Sequence, residues 1–280
     1  MWGFSFLGYT TAMIYAKKSL GQNFLKDKSA LRKIIDVSEI AYGDVVLEIG
    51  PGKGALTSFL LETGAQVVAI EKDHRLIPEL QQQFENEVKT GQLRIIEADI
   101  LQLDVADLFL NSKFNIQNYR VVANIPYYIT GQILRIFLET EQQPRSMTLM
   151  VQKEVAERIV ARDGKESILS LSVKAFGTPR YVATVPAGSF VPAPSVDSAI
   201  LYIGDISQNL LGEQGITAET FFTYLRAGFA SKRKQLAKNL SNLNARADVE
   251  TALENLEISK QIRAEDMNIN QWLALIKKLA

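Results

Sequence analysis

The chain has 280 residues, 47% hydrophobic and 22% charged, with 31 basic against 31 acidic side chains. That length allows one large domain plus a small one, the composition excludes a disordered chain, and the zero net charge confines any attraction to a polyanion to local clusters. There is no cysteine and a single histidine, His74, which excludes disulfides, thiolate nucleophiles and Cys-based metal sites and leaves His-based catalysis or multi-His metal binding without residues.

Residues 1–9 are apolar, but Lys17 and Lys18 follow that stretch instead of preceding it, the wrong order for a signal peptide. The stretch is also too short to span a bilayer, and nothing later approaches such a length. Met13 offers an alternative start, so residues 1–12 read as an extension of no assigned role. The chain reads as soluble, intracellular and cytoplasmic. Next comes Leu20-Gly21-Gln22-Asn23-Phe24-Leu25, with polar Gln22 and Asn23 beside apolar Phe24 and Leu25. It reads as a loop lying over a ligand or as the cap of a helix starting near Ser29; taken alone, the cap is the simpler reading.

Leu31, Ile34, Ile35 and Ile40 have helical spacing over residues 30–40. Val45 to Ile49 is a buried strand, Gly50-Pro51-Gly52-Lys53-Gly54 a glycine-rich turn, and Leu56, Phe59, Leu60 and Leu61 mark the following helix. Strand, glycine turn and helix form the first unit of a doubly wound α/β sheet, whose turn lets a ligand approach the backbone closely. A second strand over 66–70 ends in Glu71, and a helix runs from Arg75 to Phe84. A carboxylate there, about 20 residues past the glycines, suits a ribose diol. Leu93 to Glu97 is the third strand, with Asp99 at its exit as an acceptor for an adenine amino group. The glycines also fit a dinucleotide fingerprint, so this half of the chain points to an adenosine-containing cofactor without choosing between a nicotinamide and S-adenosylmethionine.

The fourth strand, Val121-Val122-Ala123, runs into Asn124-Ile125-Pro126-Tyr127. The Asn124 amide oxygen and a backbone carbonyl suit the two protons of an exocyclic amine, Pro126 fixes φ and brings no N–H, and the aromatic ring suits stacking on the base. By itself the tetrapeptide is equally a strand followed by a proline turn. With Asp99 it tilts the choice towards methyl transfer to an amine. A helix over 131–138, a fifth strand over 147–151 and a helix over 153–161 follow. Three further strands are predicted, 169–175, 180–185 and 198–203, as antiparallel additions to the sheet. Between them, prolines 186, 192 and 194 stiffen a loop that presents Phe190 as an aromatic plate or tucks it into the core; taken alone, the core reading is favoured. From Gly204 the pattern is helical, with helices predicted over 218–229, 232–240, 247–253 and 270–279. Between Glu219 and Asp248 there is no acidic residue, while Arg226, Lys232, Arg233, Lys234, Lys238 and Arg246 are present. A basic run alone reads as a solvated face; beside a base-modifying pocket it suits phosphate contacts.

Together these motifs resemble the small-subunit rRNA adenine-N6,N6-dimethyltransferases (the KsgA/RsmA type), relatives of the Erm-type rRNA methyltransferases and the mitochondrial transcription factor B proteins. The resemblance covers roughly residues 15 to 280 and rests on Leu20–Leu25, Glu48-Ile49-Gly50-Pro51-Gly52, Asn124–Tyr127, Ser189–Ser198 and Phe229–Leu236. It implies a Rossmann-like S-adenosylmethionine-dependent methyltransferase domain over 13–204, an α/β fold with a mainly parallel seven-stranded sheet and helices on both faces. A small all-α rRNA-binding domain over 205–280 follows. It further implies that Asn23, Leu25, Gly50, Gly52, Glu71, Asp99 and Asn124 contact S-adenosylmethionine. The catalytic set would be Asn124, Ile125, Pro126, Tyr127 and Phe190, with Asn124 and Tyr127 gripping the adenine and Phe190 stacking on its other face. Arg226, Lys232, Arg233, Lys234 and Lys238 would bind RNA. The implied activity is dimethylation of two adjacent adenosines near the 3′ end of small-subunit rRNA, by a monomer acting on a pre-30S particle in ribosome biogenesis, with no metal and no membrane. Departures are few: Lys232 replaces a common Arg, Ser167-Ile168 stands where the family often has Tyr-Gly, and the extension has no counterpart. The competing expectations are an Erm-type enzyme acting on large-subunit rRNA, a non-catalytic transcription-factor-like binder and a small-molecule methyltransferase.

Overall fold

The computed structural model describes residues 15–17, 20–105 and 118–280, so the extension over 1–12 and Lys18 lie outside the described residues. In chain order the elements begin with β1 (Phe24–Leu25), α1 (Lys28–Ser38), β2 (Val45–Ile49), α2 (Ala55–Glu62), β3 (Gln66–Glu71), α3 (Ile77–Gln83), α4 (Glu85–Thr90) and β4 (Leu93–Glu97). Next come β5 (Tyr119–Asn124), α5 (Thr130–Glu139), β6 (Ser146–Gln152), α6 (Lys153–Ile159), α7 (Ile168–Lys174), β7 (Thr178–Val185), β8 (Phe190–Val191) and β9 (Ser198–Gly204). The chain closes with α8 (Asn209–Glu213), α9 (Ala218–Gly228), α10 (Leu236–Asn239), α11 (Arg246–Asn255) and α12 (Ile269–Leu279).

Seven strands form one sheet in the order β4-β3-β2-β5-β6-β9-β7, the first five parallel and the last two antiparallel. Helices cover both faces, which explains why the central strands read as unbroken apolar runs and not as alternation. Along β2, Val45, Leu47 and Ile49 enter the core on one face while Val46 enters the core on the other. Leu31 and Ile34 of α1, Leu56 and Leu60 of α2 and Leu80 of α3 pack on the Val46 side. Ile133 and Phe137 of α5, Ile159 of α6 and Leu171 of α7 pack on the other. That second core continues without a break into the C-terminal helices through Phe221, Leu225 and Trp272, and the Phe176 ring stacks on Phe222 at 6.3 Å.

Two predicted elements are corrected. Residues 169–175 form no strand: 169–174 lie in α7 and Ala175 caps its end, which leaves the seven-stranded sheet. Leu169, Leu171, Val173 and Ala175 alternate with polar residues, a strand-like period. Against it, the Ser167 hydroxyl accepts from Ser170 N–H at 3.1 Å while Ser167 N–H donates to the Ser170 hydroxyl at 2.7 Å. That reciprocal capping box starts a helix. The predicted helix over 232–240 shrinks to Leu236–Asn239, and Lys232, Arg233 and Lys234 sit in a turn before it. Here the Asn239 amide donates to the Gly228 carbonyl at 2.5 Å and the Ser231 carbonyl at 3.0 Å. This satisfies the end of α9 and turns the chain.

Trp272 is fully buried, stacks on Phe229 at 5.9 Å and donates from its indole nitrogen to the Ala264 carbonyl at 3.3 Å. Gly228 gives that indole its room, because a Cβ there would lie 2.4 Å from the ring. Gly228→Ala is therefore expected to destabilise the protein by about 1–3 kcal/mol through overpacking, despite alanine's better helix propensity. Denaturant titration measures it, and an equally or more stable variant would contradict the packing argument.

Candidate active site

Strand order reverses between β2 and β5, and in such a sheet ligands bind at the carboxyl ends of the strands beside that reversal. A cavity of about 450 Å³ lies there, within the size range for a small-molecule ligand. Gly50 and Gly52 line it from the turn after β2, Glu71 from the end of β3 and Asp99 from the exit of β4. Asn124, Ile125, Pro126 and Tyr127 line it from β5, and Asn23 and Leu25 from the N-terminal segment. Gly50 has φ +69° and a Cβ there would meet nothing within 4 Å, so the turn opens bare backbone towards a ligand.

The N-terminal segment, remote in sequence, is tied over the cavity at several places. Gln22 donates to Asp73 Oδ2 at 3.0 Å, and β1 pairs antiparallel with β8, Leu25 opposite Phe190. Beyond β1, the Ser189 hydroxyl donates to Asp27 at 3.0 Å, and Asp27 caps α1 by accepting from Ser29 N–H. The Arg75 guanidinium, 2.6 Å from Asp73, holds that carboxyl well below the usual carboxylate range.

Three carboxyls differ in electrostatic state here, Glu71 and Asp99 lining the cavity and Glu48 buried nearby. Glu71 accepts from Gly52 N–H at 3.1 Å and Asp73 N–H at 2.8 Å, yet its burial outweighs these bonds and raises its pKa. Burial acts upward on Asp99 too. There the Lys72 ammonium, 2.7 Å away, and the Leu101 N–H win and hold it below its ordinary value. Glu48 lies beneath the glycine turn at 1% exposure, accepting from the Thr57 hydroxyl at 2.7 Å. Its other oxygen has no partner among the described residues. Burial pushes Glu48 up to about 8; the Thr57 bond opposes that shift and the Glu71 charge adds to it.

A carboxyl whose folded pKa lies above its unfolded value is proton-bound in the folded state while the unfolded chain has released its proton. The stability it contributes is full below the unfolded value of 4.5 and is lost as pH rises towards 8. Wild-type stability should fall across that window by about a few kcal/mol, and Glu48→Gln should flatten the fall because the amide still accepts from Thr57 but cannot ionise. Thermal unfolding from pH 5 to 9 measures this. A variant with the wild-type slope would remove Glu48 as the cause.

At the end of β5, Asn124 donates its amide N–H to the Asn23 carbonyl at 3.1 Å. With the NH2 engaged on protein, the amide oxygen is left as the acceptor for a ligand. Pro126 opens a short 3₁₀ turn, and the Tyr127 hydroxyl is held 2.6 Å from the Ser198 hydroxyl at the start of β9. Burial raises the Tyr127 phenol, so it is a neutral hydroxyl near pH 7.

Phe190 is the exception among the site residues expected from sequence. It is 2% exposed within the core on the α1 side, and the residue of β8 that lines the cavity is Val191. Successive strand residues point to opposite faces, so the pairing of β8 with β1 turns one inward and the other outward. The ring is not placed to stack on a base in this structure. Arg226, Lys232, Arg233, Lys234 and Lys238 are exposed on the C-terminal helical region, and none lines the cavity. Among the described residues none of the five has an ion-pair partner, whereas Arg246 pairs with Glu250 at 2.6 Å. His74 is exposed, as expected for a solvated residue. Among the described residues no cluster of three or more His, Asp or Glu side chains is placed to hold a metal ion, and no helix is long and apolar enough to cross a membrane. Sequence reading assigned no role to Lys72, Tyr128 or Ser198. Lys72 directly follows Glu71 and Tyr128 follows Tyr127, but their places at the cavity depend on side-chain direction.

The description "Ribosomal RNA adenine dimethylase" belongs to the family model that matches residues 13–280. The ribosomal RNA small subunit methyltransferase A of Dehalococcoides mccartyi (strain CBDB1) is 40% identical over 275 residues, covering 98% of this chain and 90% of the relative. That of Fusobacterium nucleatum is 40% identical over 268 residues, covering 93% and 96%. Among solved structures, the 23S rRNA methyltransferase ErmE superposes with a TM-score of 0.75 at 26% identity, covering 92% of this chain and 99% of that one. A dimethyladenosine transferase from Plasmodium falciparum superposes at 0.74 with 28% identity, covering 90% and 95%.

Proposed function

The chain belongs to the ribosomal RNA adenine dimethylase family, and from that premise we propose that it uses S-adenosylmethionine to dimethylate the N6 amino groups of two adjacent adenosines near the 3′ end of small-subunit rRNA. The observation that carries this reading is Asn124. Its amide N–H is fixed on the Asn23 carbonyl, and its oxygen is left as the acceptor at the mouth of an adenosine-sized cavity.

The cavity's donors and acceptors fit the methyl donor. Glu71, held by two backbone N–H groups, takes the ribose hydroxyls, Asp99 the adenine amino group, and the bare backbone at Gly50 allows close approach, while Gly52 lines the same turn. Leu25 and Asn23 close the site over it. When bound, S-adenosylmethionine would supply a methyl group made electrophilic by its cationic sulfur; as the N–C bond forms the S–C bond breaks, and S-adenosylhomocysteine leaves. The protein's share is positioning and electrostatics. Asn124 Oδ1 and a carbonyl of the Asn124–Tyr127 loop accept the N6 protons, drawing the nitrogen lone pair out of the heteroaromatic ring. Tyr127, braced by Ser198, packs against the extruded base. Once methylated, the nitrogen is strongly acidic and loses its proton to water or to the loop carbonyl, so no dedicated base is required.

Residues 13–204 act as the methyltransferase domain and 205–280 as the rRNA-binding domain, whose exposed Arg226, Lys232, Arg233, Lys234 and Lys238 supply phosphate contacts. The partner is small-subunit rRNA within a pre-30S particle, met by a monomer in the cytoplasm during ribosome biogenesis. The superposition on ErmE supports a second reading, methylation of large-subunit rRNA. The 40% identity to small-subunit methyltransferases favours the first. Primer extension on both rRNAs, naked and as subunits, separates them, because dimethylated N6 blocks normal pairing and stops the polymerase. Stops at two adjacent adenines near the 3′ end of small-subunit RNA are expected. A stop in large-subunit RNA would replace the first reading with the second, and RNA binding without any stop would overturn both.

A further inference from the structure

Tyr127 and Tyr128 are consecutive in a 3₁₀ turn, where neighbouring side chains diverge by about 120°. Tyr127 turns inward to Ser198, whereas Tyr128 remains 61% exposed while lining the same cavity. A large aromatic left that open at a cavity mouth contributes little to the core. Its ring is nonetheless placed: a Cβ on Gly21, which has φ +61°, would lie 3.1 Å and 3.3 Å from two Tyr128 ring carbons. The absent side chain at Gly21 lets the ring settle on the backbone of the segment that closes the cavity. Lys72 lines the same cavity, with its side chain 51% exposed and Nζ 2.7 Å from Asp99. An ammonium has three N–H donors, so the Asp99 bond leaves others free for an anion.

We propose that Tyr128 and Lys72 form a second nucleotide subsite at the mouth of the cavity, with Tyr128 stacking on the base next to the target adenine and Lys72 contacting the phosphate between them. The inference rests on the reading of the site as an RNA adenine methyltransferase. Extruding one base removes a stacking partner from its neighbour, and an exposed aromatic ring replaces that partner for any base. The buried Phe190 ring does not offer such a face. The subsite would hold the strand in place while the two adjacent adenosines are processed, making both Tyr128 and Lys72 positioning residues.

Steady-state methylation of a small-subunit rRNA 3′ fragment by full-length wild type, Tyr128→Ala, Tyr128→Phe and Lys72→Met tests this. Tyr128→Ala is expected to raise KM for RNA about tenfold, the scale of one base–aromatic stack, while kcat and cofactor Kd change little. The fraction of strands modified on only one adenosine should rise, and Tyr128→Phe should restore wild-type values. Lys72→Met should reduce the slope of log KM against log salt by about one phosphate contact. An unchanged KM in Tyr128→Ala, a rise that Phe does not restore, or an unchanged salt slope in Lys72→Met would overturn the subsite while wild type still methylates RNA. No transfer by wild type would instead overturn the underlying function.

Discussion

Replacing Asn124 with alanine is expected to lower single-turnover methyl transfer by a factor of about 10²–10³, the scale of losing one preorganised hydrogen-bonding group at a reacting centre. Asn124 sits at the last position of β5, and its NH2 is anchored on Asn23 at 3.1 Å. Alanine removes both the acceptor for the N6 proton and one tie between the β5 exit and the N-terminal segment. RNA affinity should stay within about threefold, because phosphate contacts supply most of it and the exposed cations lie on the C-terminal helical region. Asn124→Asp adds a diagnosis. A carboxylate cannot donate to the Asn23 carbonyl, so the acceptor is present but unanchored and activity should remain well below wild type. Filter binding beside single-turnover assays separates the two quantities, and equal loss of both in Asn124→Ala would remove the assigned role.

The second large effect concerns the basic turn. Changing Lys232, Arg233 and Lys234 together to glutamine should weaken RNA binding by about 10²-fold at moderate salt and reduce the slope of log K against log salt by about two to three. All three side chains are exposed and none is in an ion pair among the described residues, so the substitutions break no ion pair among them. The turn itself is held from behind by Asn239, bonded to the Gly228 and Ser231 carbonyls, and by the Phe229–Trp272 stack. Thermal stability should therefore be nearly unchanged, and kcat at saturating RNA preserved. An unchanged salt slope would make this turn a solvated face.

The parallel half of the sheet was legible because its signals are local and repeated. Val45–Ile49, Gln66–Glu71 and Leu93–Glu97 are short runs rich in apolar residues, and cavity-lining residues stand at the end of each strand or just beyond it: Ile49 and Gly50, Glu71, and Ala98 and Asp99. Chain connectivity in a doubly wound sheet brings such strand ends to one edge, so Gly50, Glu71, Asp99 and Asn124 converge there without further information. Where competing local signals were weighed by period alone, reading failed. The alternation over 169–175 imitated a strand, and the Ser167–Ser170 capping box together with packing of Leu171 and Val173 made it a helix.

What the sequence by itself determined is most of the groups at the cavity, Gly50, Glu71, Asp99 and Asn124 among them, and the family that owns them, since those depend on strand, turn and helix punctuation along the chain. Only the tertiary structure decided which way side chains face once distant segments meet. Phe190 is buried because β8 pairs with β1, some 165 residues earlier, in the register that sets Phe190 opposite Leu25. Tyr127 is aimed by Ser198, Asn124 by the Asn23 carbonyl, and Asp99 is held ionised by Lys72. Each of these depends on a contact between residues 27 to 101 positions apart, and strand or helix propensity is a property of neighbours, so it contains no information about them.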